Sequence, residues 1–488
     1  MTDENNTEKK PFWENIATGK KGRGRKRNEP TTRPRSDSRQ RGTEGEKAPH
    51  REGPAPHIER TVRKPRAEER KTPRFPFTPP VVSGHVFTQP AGDARALLDA
   101  FFDIAQAALP LDSKKIQQLP GIIRELSHNL TDERSDRRLG YMNDPASISA
   151  YVRFYQWWNL VRLTRLFSSL PLTLESGSVL ADIGSGPLTV PIALWIARPD
   201  LRDKELTWYC LDLSQNALAA GEELYLQYVA KTGGSPWKIV RVRGEFGTTL
   251  KRRVSTVICA NMFNELIEGQ EKPLEALAKD YARELSSYAD EESSVLVIEP
   301  GVPYAARFIS LLRDSLSRLG FAPVAPCPHD GPCPFPGQRG GKWCHFVFDT
   351  KDAPKRLHSL SEDAGLSKDR AALSFIHAVR SAPKEEQQSV VEELSSRAVV
   401  SRLKKSFGAM PARIMSDPIR LPEFQTGRYA CSEIGMLLVC GSYRAADFLR
   451  DCASGSLVDL PRPDMRHLER DGKTGAIIIR LKDRADRS

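Results

Sequence analysis

The chain has 488 residues, eight cysteines and a formal net charge of +11, with 28% charged and 39% hydrophobic residues. That length supports two or three domains, each able to bury a full core. No apolar run approaches the roughly 18 residues of a membrane span. Eight unevenly spaced cysteines behind a polar start with Asp3, Glu4 and Glu8 do not make a secreted disulfide scaffold. A reducing cytoplasm fits best, and the Arg-rich leader keeps the mitochondrial matrix as the alternative.

The charge is unevenly placed. Met1–Phe75 carry 21 Lys and Arg against 12 Asp and Glu, a balance of +9, so the rest of the chain is near neutral. Lys20-Lys21-Gly22-Arg23-Gly24-Arg25-Lys26-Arg27 is the densest run. Such asymmetry predicts contact with a polyanion, RNA or DNA first, against a merely solubilising leader. With few large apolar side chains, residues 1–85 cannot offset chain entropy by burial and read as a disordered basic tail.

Helical periodicity starts at Ala94, with Leu97, Leu98, Phe101, Phe102, Ile104 and Ala105 on one face. A second helix is predicted over Ser113–His128, kinked or split at Pro120. A third is predicted over Ser147–Leu170, with Tyr151, Phe154, Tyr155, Trp158 and Phe167 as packing residues. From Ser178 the pattern changes to strand, turn, helix. Strands are predicted at Ser178–Ile183, Thr207–Leu213, Trp237–Val242, Thr256–Ala260 and Ser294–Glu299. Helices are predicted at Pro187–Ala197, Gln215–Ala230, Lys272–Tyr288 and Tyr304–Leu319. Short buried strands alternating with helices indicate an α/β fold with a parallel sheet covered on both faces. Beyond Phe321 the patterning weakens. It resumes as a strand at Ala372–Val379, a charged helix at Lys384–Lys405 and strands near Ala412–Met415 and Arg428–Val439. Asp471-Gly472 before Ala476–Leu481 suggests a late hairpin. No internal repeat is present.

Val179-Leu-Ala-Asp182-Ile-Gly184-Ser-Gly186-Pro-Leu-Thr189 is a strand, a glycine turn and a helix start. Gly184 allows the sharp turn and Gly186 the close approach of a ligand. Asp182 precedes the first glycine by two residues, and Thr189 stands where a dinucleotide loop has a third glycine. This resembles the first motif of class I S-adenosylmethionine-dependent methyltransferases. The next strand ends at Asp212, where a carboxylate can accept from ribose hydroxyls, or else cap the helix from Ser214. In the methyltransferase pattern the ribose acid is Asp212, and Asp182 lies near the methionine moiety.

Catalysis is less legible. Base-amino methyltransferases often carry an Asn/Asp-Pro-Pro-aromatic sequence after the fourth strand, and here that place reads Ala260-Asn261-Met262-Phe263-Asn264-Glu265-Leu266. Asn264 and Glu265 are weak catalytic candidates that could equally cap the following helix. Cys259 reads as a packing residue.

Three cysteines lie in a Pro- and Gly-rich stretch, Cys327-Pro-His329-Asp-Gly-Pro-Cys333-Pro and then Trp343-Cys344-His345-Phe346. A segment rich in thiolate ligands and poor in apolar side chains points to a metal or cluster as its organiser. The spacing departs from zinc knuckles, and a proline after a ligand cysteine occurs in ferredoxin runs. A 4Fe–4S cluster needs a fourth thiolate from Cys431, Cys440 or Cys452. Cys431, at a strand opening beside a glycine turn, is the best placed. Zinc held by three cysteines plus His329 or His345, and no metal at all, remain alternatives.

Taken together, the residues resemble the methyltransferase-like assembly factors of the mitochondrial small ribosomal subunit and their bacterial relatives. Cys327-Pro-His329, Cys333-Pro, Trp343-Cys344-His345-Phe346, the Ala181–Thr189 loop, Asn264-Glu265-Leu266 and Arg428-Tyr429-Ala430-Cys431 carry the likeness, over about residues 95–442. The resemblance implies a class I methyltransferase-like fold and a 4Fe–4S cluster on Cys327, Cys333, Cys344 and Cys431. It also implies binding to small-subunit ribosomal RNA during assembly, with the fold serving as a binding scaffold. The expected domains are a tail to 85, a helical subdomain at 86–170 and an S-adenosylmethionine-binding domain at 171–325. An iron–sulfur and C-terminal subdomain at 326–452 and an extension at 453–488 follow. An active rRNA base methyltransferase and a zinc-stabilised nucleic-acid-binding module without cofactor are the rival readings.

Overall fold

The computed structural model describes residues 77–131, 141–335, 342–380 and 409–482. The basic tail up to residue 76 and the helix expected at Lys384–Lys405 lie outside the described residues.

A helical layer comes first. α1 (Gly92–Asp99), α2 (Phe101–Ala108) and α3 (Ser113–Thr131) follow one another, and the first two bury the predicted stripe from Leu97 to Ala105. α3 runs unbroken through Pro120. The third helix departs from expectation. It forms as α4 (Pro145–Tyr151), a π-helical turn at Val152–Gln156 and α5 (Trp157–Phe167). Asp144 caps α4, its carboxylate accepting from the Ser147 N–H at 2.8 Å. A π-helical turn holds one more residue than an α-turn and is frequent at functional sites. This one carries both Arg153 and Gln156 into the core.

The central sheet is built from β2 (Val179–Ile183), β3 (Thr207–Asp212), β4 (Lys238–Arg243), β5 (Val254–Ala260), β6 (Ala289–Pro300), β7 (Phe321–Ala325) and β9 (Arg370–Arg380). Their spatial order is β4-β3-β2-β5-β6-β9-β7. The first five run parallel, and β9 enters antiparallel between β6 and β7. This is the Rossmann-like sheet of class I methyltransferases. Connecting helices are α6 (Thr189–Ala197), α7 (Gln215–Thr232), α8 (Phe263–Leu266), α9 (Leu274–Tyr288) and α10 (Pro303–Ser317). α6 starts two residues later than predicted because Leu188 takes a left-handed backbone, φ 55°, and belongs to the turn. All five residues of β2 are buried, as a strand covered on both faces requires. On one face the helical layer packs with Trp195, Trp208, Tyr225 and Trp237, whose rings meet at 4.8–6.1 Å. On the other, α9 and α10 bury Leu277, Leu285, Phe308 and Leu312.

Two short elements complete that half: β8 (Phe346–Asp349), antiparallel to β9, and α11 (Lys355–Asp363). Asp352, between them, bridges to Arg165 of α5, and Arg165 lies over the Phe348 ring at 4.5 Å. Strands β7 and β8 both pair with β9, so the cysteine-bearing segment between them leaves and re-enters the sheet along one strand.

The remaining strands form a second sheet. They are β1 (Val81–His85), β10 (Ala409–Ile414), β11 (Ile419–Arg420), β12 (Thr426–Ser432), β13 (Gly435–Gly441), β14 (Ser456–Pro461) and β15 (Ile477–Arg480). The order is β1-β14-β10-β12-β13-β15, with β11 on β12, and α12 (Tyr443–Asp451) packs on β12 and β13. Two expectations change here. Val81–His85, predicted as the end of the tail, pairs with β14. β14, predicted within a C-terminal extension, lies inside the sheet between β1 and β10. The predicted late hairpin forms around a turn at Asp471–Gly475, with Arg470 bridged antiparallel to Ile477, and β15 also pairs parallel with β13. Among the described residues no helix is long and apolar enough to cross a membrane.

Candidate functional site

The strand order reverses at β2, with β3 on one side and β5 on the other, and in such sheets ligands bind at the carboxyl ends beside that switch. Asp182 and Asp212 end there. Asp182 is buried; its Oδ2 accepts from Ser185 Oγ at 2.6 Å, while Oδ1 has no partner. Burial pushes the carboxyl up to about 7, against the Ser185 bond that favours its ionised form. Gly184 has φ +72°, and a side chain there would press on Met262 at 2.8 Å. Space beside Gly186 is open.

Asp212 is half-buried and firmly held. Its Oδ2 accepts from Gly186 N–H at 2.9 Å and its Oδ1 from Ser214 N–H at 2.8 Å. Burial raises this carboxyl, and those bonds pull against the rise. The helix cap is Ser214 rather than Asp212, with Ser214 Oγ accepting from Ala217 N–H at 3.1 Å. Asp212 thus ties the glycine loop to the next turn.

Sequence reasoning missed several contributors. Gly221 of α7 lies under the loop, where a side chain would come within 2.3 Å of the Pro187 carbonyl carbon. Gln156 donates through Nε2 to the Pro187 carbonyl at 2.6 Å, and its Oε1 is buried without a partner. Ser214 Oγ also donates to the Met142 carbonyl at 2.7 Å, bringing the helical layer over the Asp212 turn. No local signal marked these residues, because a π-helical turn and a three-residue approach carry no periodicity.

The segment after β5 is occupied with its own architecture. Glu299, buried at the end of β6, accepts from the Phe263 N–H at 2.8 Å and the Asn264 N–H at 3.0 Å. Burial pushes this carboxyl up to about 8. With its amide nitrogen turned inward, Asn264 donates to the Asn261 carbonyl and to Glu299 Oε2, both at 2.8 Å. Glu265 of the same short helix is exposed, and its charge acts on Glu299 and on Tyr151. Cys259 is buried in β5 and its thiol is held well above the ordinary range by burial, as a packing residue should be.

The predicted cysteines do meet. Cys327, Cys333, Cys344 and Cys431 line one cavity together with His329, Arg313, Arg413 and Phe346, around about 300 Å³ of space that includes some open to solvent. Cys440 and Cys452 are buried elsewhere, Cys440 beside Arg480 and Cys452 in the core of the second sheet. β12 brings Cys431 opposite Arg413 of β10. Arg413 Nε donates to the Pro326 carbonyl at 2.9 Å and Nη1 to the Gly455 carbonyl at 3.0 Å. Arg313 of α10 donates to the Gly331 carbonyl at 2.6 Å. Burial pushes Cys333 up to about 11, and Cys344 and Cys431 are raised by burial and then by the neighbouring thiols. The two guanidinium groups act in the opposite sense on Cys327. His329 Nε2 lies 3.5 Å from Cys431 Sγ, and its buried Nδ1 has no partner. His345 instead stacks on Trp343, with centroids 4.9 Å apart. Among the described residues no three or more His, Cys, Asp or Glu side chains stand as a group that could hold a single metal ion.

Sheet order, glycine loop and paired acidic strand ends define a methyltransferase-like protein of class I. A family profile described as mitochondrial small ribosomal subunit Rsm22 matches residues 173–416, half of the chain, and the chain belongs to that family. Among solved structures, a point mutant of the 16S rRNA (adenine(1408)-N(1))-methyltransferase from Catenulisporales acidiphilia with its cosubstrate is 15% identical. It covers 43% of this chain and 88% of its own, with a TM-score of 0.26. An S-adenosylmethionine-dependent methyltransferase from Aquifex aeolicus is 14% identical over 49% of this chain and 99% of its own, at a TM-score of 0.22. One from Geobacter sulfurreducens, in complex with S-adenosyl-L-homocysteine, is 13% identical over 46% and 91%, at 0.26. No curated protein matches the chain.

Proposed function

We propose that this protein binds small-subunit ribosomal RNA during assembly, in a bacterial cytoplasm or a mitochondrial matrix, as a scaffold carrying two bound groups. S-adenosylmethionine would be held by Asp182, Gly184, Gly186 and Asp212. A 4Fe–4S cluster would be held by Cys327, Cys333, Cys344 and Cys431. Membership of the family supports the ribosomal part. The unpartnered Asp182 Oδ1 and the open face of Gly186 suit an adenosyl ligand with an ammonium group.

One observation carries the proposal: three thiols from the segment between β7 and β8 and one from β12 line a single cavity with two arginines. Four thiolates around a doubly positive four-iron core leave two negative charges, which Arg313 and Arg413 would offset. A cluster stands between its thiolates and spreads them more widely than one zinc ion does. When bound, such a cluster supplies metal–thiolate bonds in place of an apolar core. His329 is a neighbour of Cys431 rather than a needed ligand.

The scaffold reading is preferred to an active methyltransferase because Asn264, at the position of a catalytic amide, donates to Glu299 and to the Asn261 carbonyl. The test is anaerobic purification followed by visible absorbance, iron, sulfide and zinc analysis. Wild type should carry iron and sulfide, Cys431→Ser should lose most of both, and Cys440→Ser should keep them. Stoichiometric zinc without iron would reject the cluster. Radiolabelled methyl transfer to immature small subunits, abolished by Asp182→Ala, would reject the scaffold reading.

A further inference from the structure

Two aromatic side chains on the second sheet are displayed rather than packed. Phe424 is 98% exposed and Tyr443 82% exposed, and both stand on left-handed backbone, φ 58° and 49°. Glu423, before Phe424, is left-handed too, φ 56°. Bulky residues avoid this region because Cβ crowds the following carbonyl, so the conformation is costly and no burial repays it. Strain of this kind, held in place by its surroundings, points to a function.

The two rings belong to one place. Thr426 of β12 pairs with Gly441 of β13, so Phe424 and Tyr443 each lie two residues past the same end of the same strand pair. The Leu421–Gln425 turn is pinned by Leu421 N–H donating to the Gln425 carbonyl at 2.9 Å and Gln425 N–H to the Pro422 carbonyl at 3.2 Å. Arg420 pairs across from Thr426, and Arg450 Nη1 donates to Thr426 Oγ1 at 3.3 Å. An open groove beside Phe424 is lined by Arg420, Leu421, Glu423, Gln425 and Arg450.

We propose that Phe424 and Tyr443 form a stacking platform for unpaired bases of single-stranded RNA, with Arg420 and Arg444 reaching the flanking phosphates. This rests on the RNA-binding reading above and adds the surface that does it. Arg420 and Arg444 are exposed, and no carboxylate bridges to either among the described residues. Arg450 is paired with Asp447. Of the nearby acids, Glu423 acts on the Arg480 charge, and Asp451 sits at the far end of α12 from Tyr443. A dry protein interface would need contiguous apolar surface, whereas these rings are set among Arg420, Pro422, Glu423 and Arg444. Exposed ring faces beside free guanidinium groups are what sequence-tolerant base stacking uses.

The test uses the full chain, a fluorescent oligouridylate and anisotropy at low and high salt. Phe424→Ala with Tyr443→Ala should weaken binding about tenfold per ring, and the loss should persist at high salt, where tail electrostatics are screened. Tyr443→Phe should bind like wild type. Arg420→Gln with Arg444→Gln should lose affinity chiefly at low salt. Melting temperatures should not fall, because neither ring is buried. Wild-type affinity in the double-alanine protein at high salt overturns the platform alone, as does loss of a protein partner with RNA binding intact. Failure of wild type to bind RNA overturns both the platform and the RNA reading.

Discussion

Asp182→Asn should make the fold more stable and the adenosyl site weaker. The carboxyl is 1% exposed, and burial moves it from an ordinary 3.8 to about 7. Between those values the unfolded chain has released its proton and the folded chain has not. Stability therefore falls as pH rises from about 4 to about 7, and it stays at the lower level above that. The gap corresponds to about 4 kcal/mol at most. Asparagine keeps the shape, and its amide can still meet Ser185 Oγ, but it carries no charge to bury. Urea unfolding at pH 5 and pH 8 should show the variant ahead by about 2–4 kcal/mol at the higher pH and by less at the lower one. S-adenosylmethionine affinity should fall at pH 8, because Oδ1 can no longer meet an ammonium group as an anion. A variant less stable than wild type at pH 8 would refute the reasoning, since it would mean that the ionised carboxylate is compensated in the fold.

Glu299→Gln should likewise flatten the pH dependence of stability between about 4.5 and about 8, where the raised carboxyl holds its proton in the folded state only; the change in urea midpoint with pH reads it. Arg165→Met should cost about 2 kcal/mol by leaving Asp352 without its cation, less than a fully dry pair because Asp352 keeps some exposure; thermal unfolding measures it. Deleting residues 1–75 should weaken RNA binding most at low salt and leave the melting temperature nearly unchanged, as a salt titration of the two proteins will show.

The parallel sheet was legible because its strands are short, apolar and bounded by turns; each of the five predicted ones is present within a few residues. The glycine loop was legible for the same local reason, since Asp182, Gly184 and Gly186 lie within five residues. The third helix was misjudged because a π-helical turn shifts a periodic pattern by one residue without changing its composition. The second sheet was only partly legible. Its strands come from both ends of the chain, with β1 and β14 separated by more than 370 residues, and such pairing leaves no mark in either segment. Cys431, expected at a strand opening, stands instead next to the last residue of β12, and the register sets what surrounds it. Cys431 lies opposite Arg413, which reaches the Pro326 carbonyl, while Cys440 lies opposite Gly427 toward the other end of the same strand pair.

The same geometry bears on why a methyltransferase-like sheet would serve as a scaffold. An amide that orients an attacking nitrogen has to present free polar atoms to the ligand side. Here Asn264 and Glu299 satisfy one another and the start of α8, and Met262 fills the space that Gly184 leaves. Among the described residues, the polar atoms left without partners include Asp182 Oδ1 beneath the loop and Gln156 Oε1 beside it, on the side where a cofactor would lie rather than a substrate base. The atoms available therefore suit holding a ligand better than turning it over. A bound ligand there would stiffen the joint between the helical layer and the sheet through Ser214 and Met142, as the thiol cavity would stiffen the joint between the two sheets through Arg413. A bound group at either seam would add to the rigidity of the surface proposed to meet RNA.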